Sequence, residues 1–158
     1  MVAALWWTYF DIVALVSARR LVRAPEGKVR NELARDSYSY IHFLLVAGII
    51  LLALGLKKAI GHPTDALDDV PAFALVGGVA VYLLGLVAFR YRHIQTINPQ
   101  RFGMALLLLA LYPVALELSA LVMLALLNVL LWSMIVYETR GYGEGRAEVR
   151  HGDAAPGT

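Results

Sequence analysis

The sequence has no cysteine and few charged residues, and both shortages narrow the class of protein. Without cysteine, the chain forms no disulfide, no thiolate metal site and no cysteine nucleophile. Charged residues make up 16% of the chain, whereas a typical soluble domain has about 25%. Hydrophobic residues make up 59% of the 158 residues, and a soluble domain of this size has too large a surface relative to its volume to bury them. Lipid is therefore expected to cover the excess apolar surface.

Sequence motifs of common catalytic sites are also missing. The chain contains no phosphate-binding glycine-rich loop, no nucleophile elbow and no His-Glu-x-x-His zinc motif. Its basic residues are not interleaved with aromatic residues as on a nucleic-acid-binding surface. We therefore expect neither an enzyme nor a nucleic-acid-binding protein, and we expect no cofactor and no metal.

Long apolar runs predict an all-α bundle of transmembrane helices. A helix needs about 20 mostly apolar residues to cross the hydrocarbon core, which is roughly 30 Å thick. Three uncharged runs have this length, and two less regular stretches add a first span and a short fourth span. The predicted spans cover about residues 1–18, 37–56, 70–89, 102–116 and 118–137. A tight hairpin near residues 113–119 is expected to separate the last two. The transmembrane domain would cover residues 1–139, followed by a polar tail over residues 140–158 with a disordered end.

The distribution of lysine and arginine predicts the orientation of these spans. In chain order, the four loops and the tail carry six, two, three, none and three of these residues. Because basic loops lie on the cytoplasmic side of membrane proteins, we expect the first loop, the third loop and the C terminus inside and the N terminus outside. Lys57 and Lys58 lie on the expected outer side, where their long side chains can reach the interface.

Four segments of the chain resemble a known family. They are Leu-Trp-Trp-Thr-Tyr-Phe-Asp at residues 5–11, Arg-Asp-Ser-Tyr-Ser-Tyr-Ile-His at residues 35–42, Gly-Gly-Val-Ala-Val-Tyr-Leu-Leu-Gly at residues 77–85 and Tyr-Glu-Thr at residues 137–139. In this order and spacing they are similar to the low temperature requirement A (LtrA) family of bacterial membrane proteins, over roughly residues 4–150.

This resemblance implies a multi-pass protein of the bacterial cytoplasmic membrane with a link to growth in the cold, but it implies no molecular activity. Members of the family usually have more than twice this length and carry an earlier helical half. The chain therefore resembles the C-terminal half alone, as either a fragment or a natural short relative. The expected partners are the lipid bilayer and either a second helical half or another copy of the chain.

Asp11 is the first candidate for a functional residue inside the membrane. A carboxylate near the bilayer centre costs about 2.5–3.5 kcal/mol on insertion scales, so Asp11 should face protein or water. It is either a proton or cation site or the ion-pair partner of Arg19 or Arg20 on the cytoplasmic side.

A polar stripe at the start of the second span supplies three more candidates. Arg35, Tyr38 and His42 recur at spacings of three and four residues, so they share one helix face. Because histidine titrates near neutral pH, the stripe is typical of a proton relay or an entry for a small solute. The alternative is a neutral histidine that hydrogen-bonds between helices. A metal site is not expected, since the other histidines lie at no ligand-like spacing.

Glu117 is the last candidate. Pro113 nearby removes a backbone donor, as in the broken helices of transporters, but this single pair favours a simple hairpin turn. Elsewhere, small residues on the second and third spans predict close helix packing. They are Gly48, Gly55, Ala74, Gly78 and Gly85. Asn128, midway along the last span, is expected to hydrogen-bond to a neighbouring helix.

Two functions from different classes fit these residues. The first is translocation of an ion, a proton or a small solute, with the chain acting as one half of a larger unit. The second is a structural or cold-adaptive membrane subunit whose polar residues only hold helices together. A membrane enzyme for lipid or isoprenoid substrates fits less well, because such enzymes usually cluster acidic residues or histidines at one membrane face.

Overall fold

The computed structural model describes residues 1–10 and 36–141. In these residues the chain is helical apart from short connections and one isolated bridge between Ala66 and Ser119. The elements are α1 (Val2–Phe10), the π-helical turn π1 (Asp36–Ile41), α2 (His42–Gly61), α3 (Asp69–Ile94), α4 (Pro99–Ala110), α5 (Tyr112–Glu117) and α6 (Ala120–Gly141). The predicted all-α class is confirmed.

Three of the described helices are long and apolar enough to cross a membrane. The candidate spans are Ser39–Gly61, Asp69–Arg92 and Ala120–Arg140, which belong to α2, α3 and α6. They overlap the second, third and fifth predicted spans. Most of the predicted polar tail and the second half of the predicted first span lie outside the described residues, so five spans remain a prediction.

The predicted fourth span is divided into two shorter helices. α4 has 12 residues and α5 has six, so they are about 18 Å and 9 Å long. The division falls at Leu111, two residues before Pro113 in the first turn of α5. Proline has no backbone N–H and its ring clashes with the carbonyl four residues earlier, which explains the break. α4 also begins at Pro99, three residues before the predicted start of this span.

α3 is the central helix of the described bundle. It contacts α2, α4 and α5, and 78% of its span is buried inside the protein, against 22% for α2 and 33% for α6. Its largest fully buried side chains are Leu75, Leu83, Leu86 and Phe89. α2 and α6 instead expose large apolar side chains such as Ile50 and Val129. The two outer helices therefore present faces that only lipid or another apolar surface can cover.

Glycines bring α2 and α3 together in an antiparallel crossing. A Cβ atom at Gly55 would lie 2.5 Å from the backbone nitrogen of Leu75, and one at Gly78 would lie 2.5 Å from that of Leu52. Gly48 meets Gly78 and Tyr82 in the same way. Only residues without a side chain allow the two backbones to approach this closely. The predicted packing of small residues is confirmed here.

The α2–α3 loop and the α5–α6 connection meet at one end of the bundle. The N–H groups of Ala120 and Leu121 donate to the carbonyls of Asp65 and Pro63, both at 2.9 Å. The first N–H groups of a helix have no partner within that helix, so the loop caps the N terminus of α6. We call this end of the bundle the loop end. We call the opposite end, where α3 ends and α4 begins, the cluster end, after the cluster of buried polar residues there.

Candidate functional site

A buried ion pair at the cluster end joins α4 to α6. Arg101 lies in the first turn of α4 and Glu138 lies near the end of α6. The Nε atom of Arg101 donates to Oε1 of Glu138 and its Nη2 atom donates to Oε2, both at 2.9 Å. The side chains are only 7% and 6% exposed. Two parallel charge-assisted hydrogen bonds are the strongest form of this interaction and fix both side chains in one geometry.

Two further residues complete what we call the arginine–glutamate cluster, defined as Thr8, Asn98, Arg101 and Glu138. Asn98 caps α4, since its Oδ1 atom accepts from the backbone N–H groups of Gln100 and Arg101 at 3.1 and 3.4 Å. Its Nδ2 atom donates to Oε1 of Glu138 at 2.8 Å. The Nη1 atom of Arg101 donates to the carbonyl of Thr8 at 3.1 Å. The cluster therefore ties α1, α4 and α6 together.

The charged groups of the cluster are paired with each other and shielded from solvent. All four of its residues are buried, and both carboxylate oxygens of Glu138 accept hydrogen bonds from neighbouring side chains. Removing one partner from a buried pair leaves an uncompensated charge and costs about 3–5 kcal/mol. The arrangement is therefore suited to holding helices in place.

A second feature is an apolar groove between α1 and α2, with Tyr82 of α3 as part of its wall. Its volume is about 330 Å³. Ten of the lining residues are apolar or tryptophan, and the other three are Tyr9, His42 and Tyr82. The hydroxyl of Tyr82 already donates to the carbonyl of Leu5 at 2.8 Å. The groove is thus mainly suited to an apolar occupant.

His42 lies in the wall of this groove near the cluster end. It is the first residue of α2, and its ring lies edge-on to that of Tyr9, with the ring centroids 6.1 Å apart. Its Nδ1 atom is buried and has no hydrogen-bond partner among the described residues. Buried polar groups normally have a partner in folded proteins, so this atom and Oε1 of Gln100 are exceptions among the described residues.

Of the other predicted site residues, only Glu117 has a described side chain, and it lies elsewhere. Asp11 and Arg35 lie outside the described residues, as does the side chain of Tyr38, so the predicted polar stripe stays a prediction. Glu117 is the exposed last residue of α5 at the loop end, at the other end of α2 from His42. Its exposed place beside the two-residue connection fits the hairpin turn that the sequence favoured.

One expectation about hydrogen bonding was wrong. The Nδ2 atom of Asn128 donates to the carbonyl of Leu124 at 2.9 Å, within α6 itself. A short side chain on a lipid-facing helix can satisfy its donor on the preceding turn, and this removes the need for a partner helix.

Sequence reasoning missed the arginine–glutamate cluster. The charge count places Arg101 in a loop, and the sequence assigns Glu138 no role beyond its place in a family segment. Two signals were present in the sequence. Asn98 followed by Pro99 is typical of a helix N-cap with proline in the first turn, which moves Arg101 from the loop into a helix. Arg101 and Glu138 also carry opposite charges at the same predicted membrane face, which makes them candidates for pairing.

The fold and the two sites define the class of protein. Three long apolar helices, of which the middle one is buried and the other two have apolar outer faces, and a buried ion pair are the features of an α-helical integral membrane protein. Within the described ranges, no three histidine or carboxylate side chains come together as a metal site would need.

The family is shown by comparison with known proteins. The model of the family described as bacterial low temperature requirement A protein (LtrA) matches residues 1–136, and the chain belongs to this family. No curated protein and no solved structure gives a significant match.

Proposed function

We propose that the chain is a structural, cold-adaptive subunit of the bacterial cytoplasmic membrane, with no transport or catalytic chemistry of its own. It would act as one helical part of a larger assembly, joined by a second helical half or by another copy. The observation that carries this proposal is the buried Arg101–Glu138 ion pair. It is a buried, doubly hydrogen-bonded ion pair, and it connects residues that are 37 positions apart in the sequence.

A buried ion pair whose carboxylate oxygens are both hydrogen-bonded supports a structural role better than a transport role. A residue that carries a proton or an ion must exchange partners during each cycle, and a low cost of exchange favours turnover. Glu138 instead accepts three hydrogen bonds from Arg101 and Asn98 at 2.8–2.9 Å, and breaking such a buried pair costs about 3–5 kcal/mol. The core around α3 is otherwise filled by apolar side chains.

The proposal includes the predicted orientation. Charge counts favour the cluster end inside and the loop end outside. The contacts between the α2–α3 loop and the N terminus of α6 support placing both connections on one side of the membrane, as loops two connections apart must be, and the charge counts alone favour which side that is. The pair of Lys58 with Asp68, whose Nζ and Oδ2 atoms are 3.4 Å apart, neutralises one of the two lysines that disagree with the charge rule.

The test is to replace both charged residues with apolar ones. The single variants Arg101→Met and Glu138→Leu each leave a buried charge, so we expect both to lose about 3–5 kcal/mol of stability. The double variant Arg101→Met/Glu138→Leu removes both charges, and such replacements are often neutral or stabilising. Stability is measured by thermal unfolding in detergent. Function is measured as cold growth of a bacterial strain that lacks its own family member.

A structural role predicts that cold growth follows stability. The single variants should then fail and the double variant should restore growth at low temperature. If the double variant folds as stably as the natural chain and still fails to support growth, the pair has a chemical role and the structural proposal is wrong. The exposed Arg140 serves as control, since Arg140→Met should leave both measurements unchanged.

Translocation remains a second candidate because of one observation. The buried Nδ1 atom of His42 has no partner among the described residues, and Asp11 follows Phe10, which lines the same groove. If these residues form a proton path, Asp11→Asn and His42→Ala should abolish proton-coupled flux in liposomes while the protein still inserts. If both variants support full growth in the cold, the path is not used.

A further inference from the structure

We propose that α1 is a lid that opens as a unit while α2–α6 stay folded, and that Tyr82 and Arg101 hold it shut through its backbone carbonyls. The proposal concerns a conformational step and stands apart from the structural role of the Arg101–Glu138 ion pair. Three observations carry it: the small buried surface of α1, the two hydrogen bonds that hold it, and the way Arg101 divides its donors.

α1 has a small buried surface. Three of its nine residues are buried, namely Ala4, Leu5 and Thr8, whereas 78% of the candidate span in α3 is buried inside the protein. On the side towards α2, the apolar groove lies between the two helices. Lipid tails are as apolar as leucine side chains, so burying apolar groups adds little to helix association in a membrane. The polar contacts of α1 therefore contribute much of what keeps it docked.

Two buried hydrogen bonds hold α1 to the bundle, and both end on its backbone. The hydroxyl of Tyr82 donates to the carbonyl of Leu5 at 2.8 Å, and Nη1 of Arg101 donates to the carbonyl of Thr8 at 3.1 Å. The two carbonyls are three residues apart, about 4.5 Å along the helix, and they lie on the same face. α3 and α4 thus hold α1 at two points of one face.

The guanidinium of Arg101 divides its donors between α1 and α6. Nε and Nη2 donate to the carboxylate of Glu138, whereas Nη1 donates to α1. Opening of α1 therefore breaks one hydrogen bond of Arg101 and leaves the ion pair between α4 and α6 intact. The glycine crossing also joins α2 to α3 without α1. Because these contacts persist when the lid opens, α1 can open locally without unfolding of the core.

The experiment measures how fast buried cysteines of the full chain react in detergent with a coumarin maleimide that becomes fluorescent on reaction. The chain has no cysteine of its own, so each variant carries one. Ala4→Cys changes the buried face of α1 and Val76→Cys changes the core on α3, where the natural side chains are 0% and 1% exposed. A buried thiol reacts only when its surroundings open, so the two rates compare opening of the lid with opening of the core.

We expect Ala4→Cys to react about tenfold faster than Val76→Cys or more, since the lid opens without the core. Adding Tyr82→Phe, which removes the hydroxyl and keeps the ring, should speed the reaction of Ala4→Cys about two- to tenfold, the change expected for one hydrogen bond. Tyr40→Phe is the matched control and should change neither rate, since Tyr40 is 67% exposed. Thr8→Cys, of nearly the same size as the natural residue, replaces Ala4→Cys if that variant fails to fold.

A variant of the core separates local from global opening. Gly78→Ala disturbs the crossing of α2 and α3, which is intact whether the lid is open or shut. It should therefore speed the reaction of Val76→Cys about fivefold or more and leave that of Ala4→Cys unchanged. If Gly78→Ala speeds both reactions equally, α1 opens only when the core unfolds and the proposal is wrong. An unchanged rate of Ala4→Cys after Tyr82→Phe would also overturn it.

Discussion

At the residue scale, the most informative position is Arg101. The positive-inside rule uses arginine only as a count for each loop, and this count does not tell which charges turn inward and pair. The charge counts therefore predict an orientation, which stays a prediction, whereas they do not predict the pair with Glu138. His42 shows the same limit, because its place in a helix was predictable but the unpartnered Nδ1 atom depends on how α1 packs against α2.

The geometry of the pair predicts that lysine cannot replace Arg101. A lysine ammonium keeps the charge but cannot form two parallel hydrogen bonds to a carboxylate and reach the carbonyl of Thr8 as well. We expect Arg101→Lys to lower the stability by about 1–3 kcal/mol, the range for lost hydrogen bonds to charged groups. Thermal unfolding in detergent measures this. Arg140→Lys, at an exposed site on α6, is the control, and an equal loss in both variants would contradict the assignment.

At the element scale, sequence predicted where the long helices lie but not which of them is central. The most apolar stretches of α2, α3 and α6 are equally hydrophobic, yet 22%, 78% and 33% of their residues are buried inside the protein. Composition reports only that a helix avoids water, and lipid and protein satisfy this requirement equally. The glycines carried the remaining signal, since Gly48 and Gly55 on one helix and Gly78 and Gly85 on the next mark the crossing.

The glycine crossing gives a prediction with an internal control. A Cβ at Gly78 would lie 2.5 Å from the backbone nitrogen of Leu52, whereas one at Gly103 meets nothing within 4 Å. Both glycines are inside helices, so alanine brings the same gain in helix propensity, up to about 1 kcal/mol. We expect Gly78→Ala to lose about 1–3 kcal/mol through overpacking.

Gly103→Ala should be neutral or stabilising in the same measurement, which is thermal unfolding in detergent. If both variants behave alike, the two backbones are not in contact at Gly78. A loss confined to Gly78→Ala isolates the packing contribution from helix propensity.

At the scale of the whole molecule, the contacts show which connections lie at the same end of the bundle. The charge distribution predicts which end faces the cytoplasm. The bridge between Ala66 and Ser119 and the bonds from Ala120 and Leu121 place the α2–α3 loop beside the α5–α6 connection. Only the distribution of lysine and arginine says which end faces the cytoplasm. Because the two arguments are independent, the experiment that tests them should have a different outcome for the failure of each.

Single cysteines provide that experiment, because the chain has none of its own. Thr64→Cys and Glu117→Cys lie at the loop end and Ile97→Cys at the cluster end, all at exposed positions. With a membrane-impermeant maleimide on intact spheroplasts, the first two variants should be labelled and Ile97→Cys should be labelled only after lysis. If Thr64→Cys and Ile97→Cys react from the same side, α3 does not cross the membrane and the fold assignment fails. If Ile97→Cys is instead labelled on intact spheroplasts and the two loop-end variants only after lysis, the helices still cross as described. Only the orientation predicted from the arginines is then wrong.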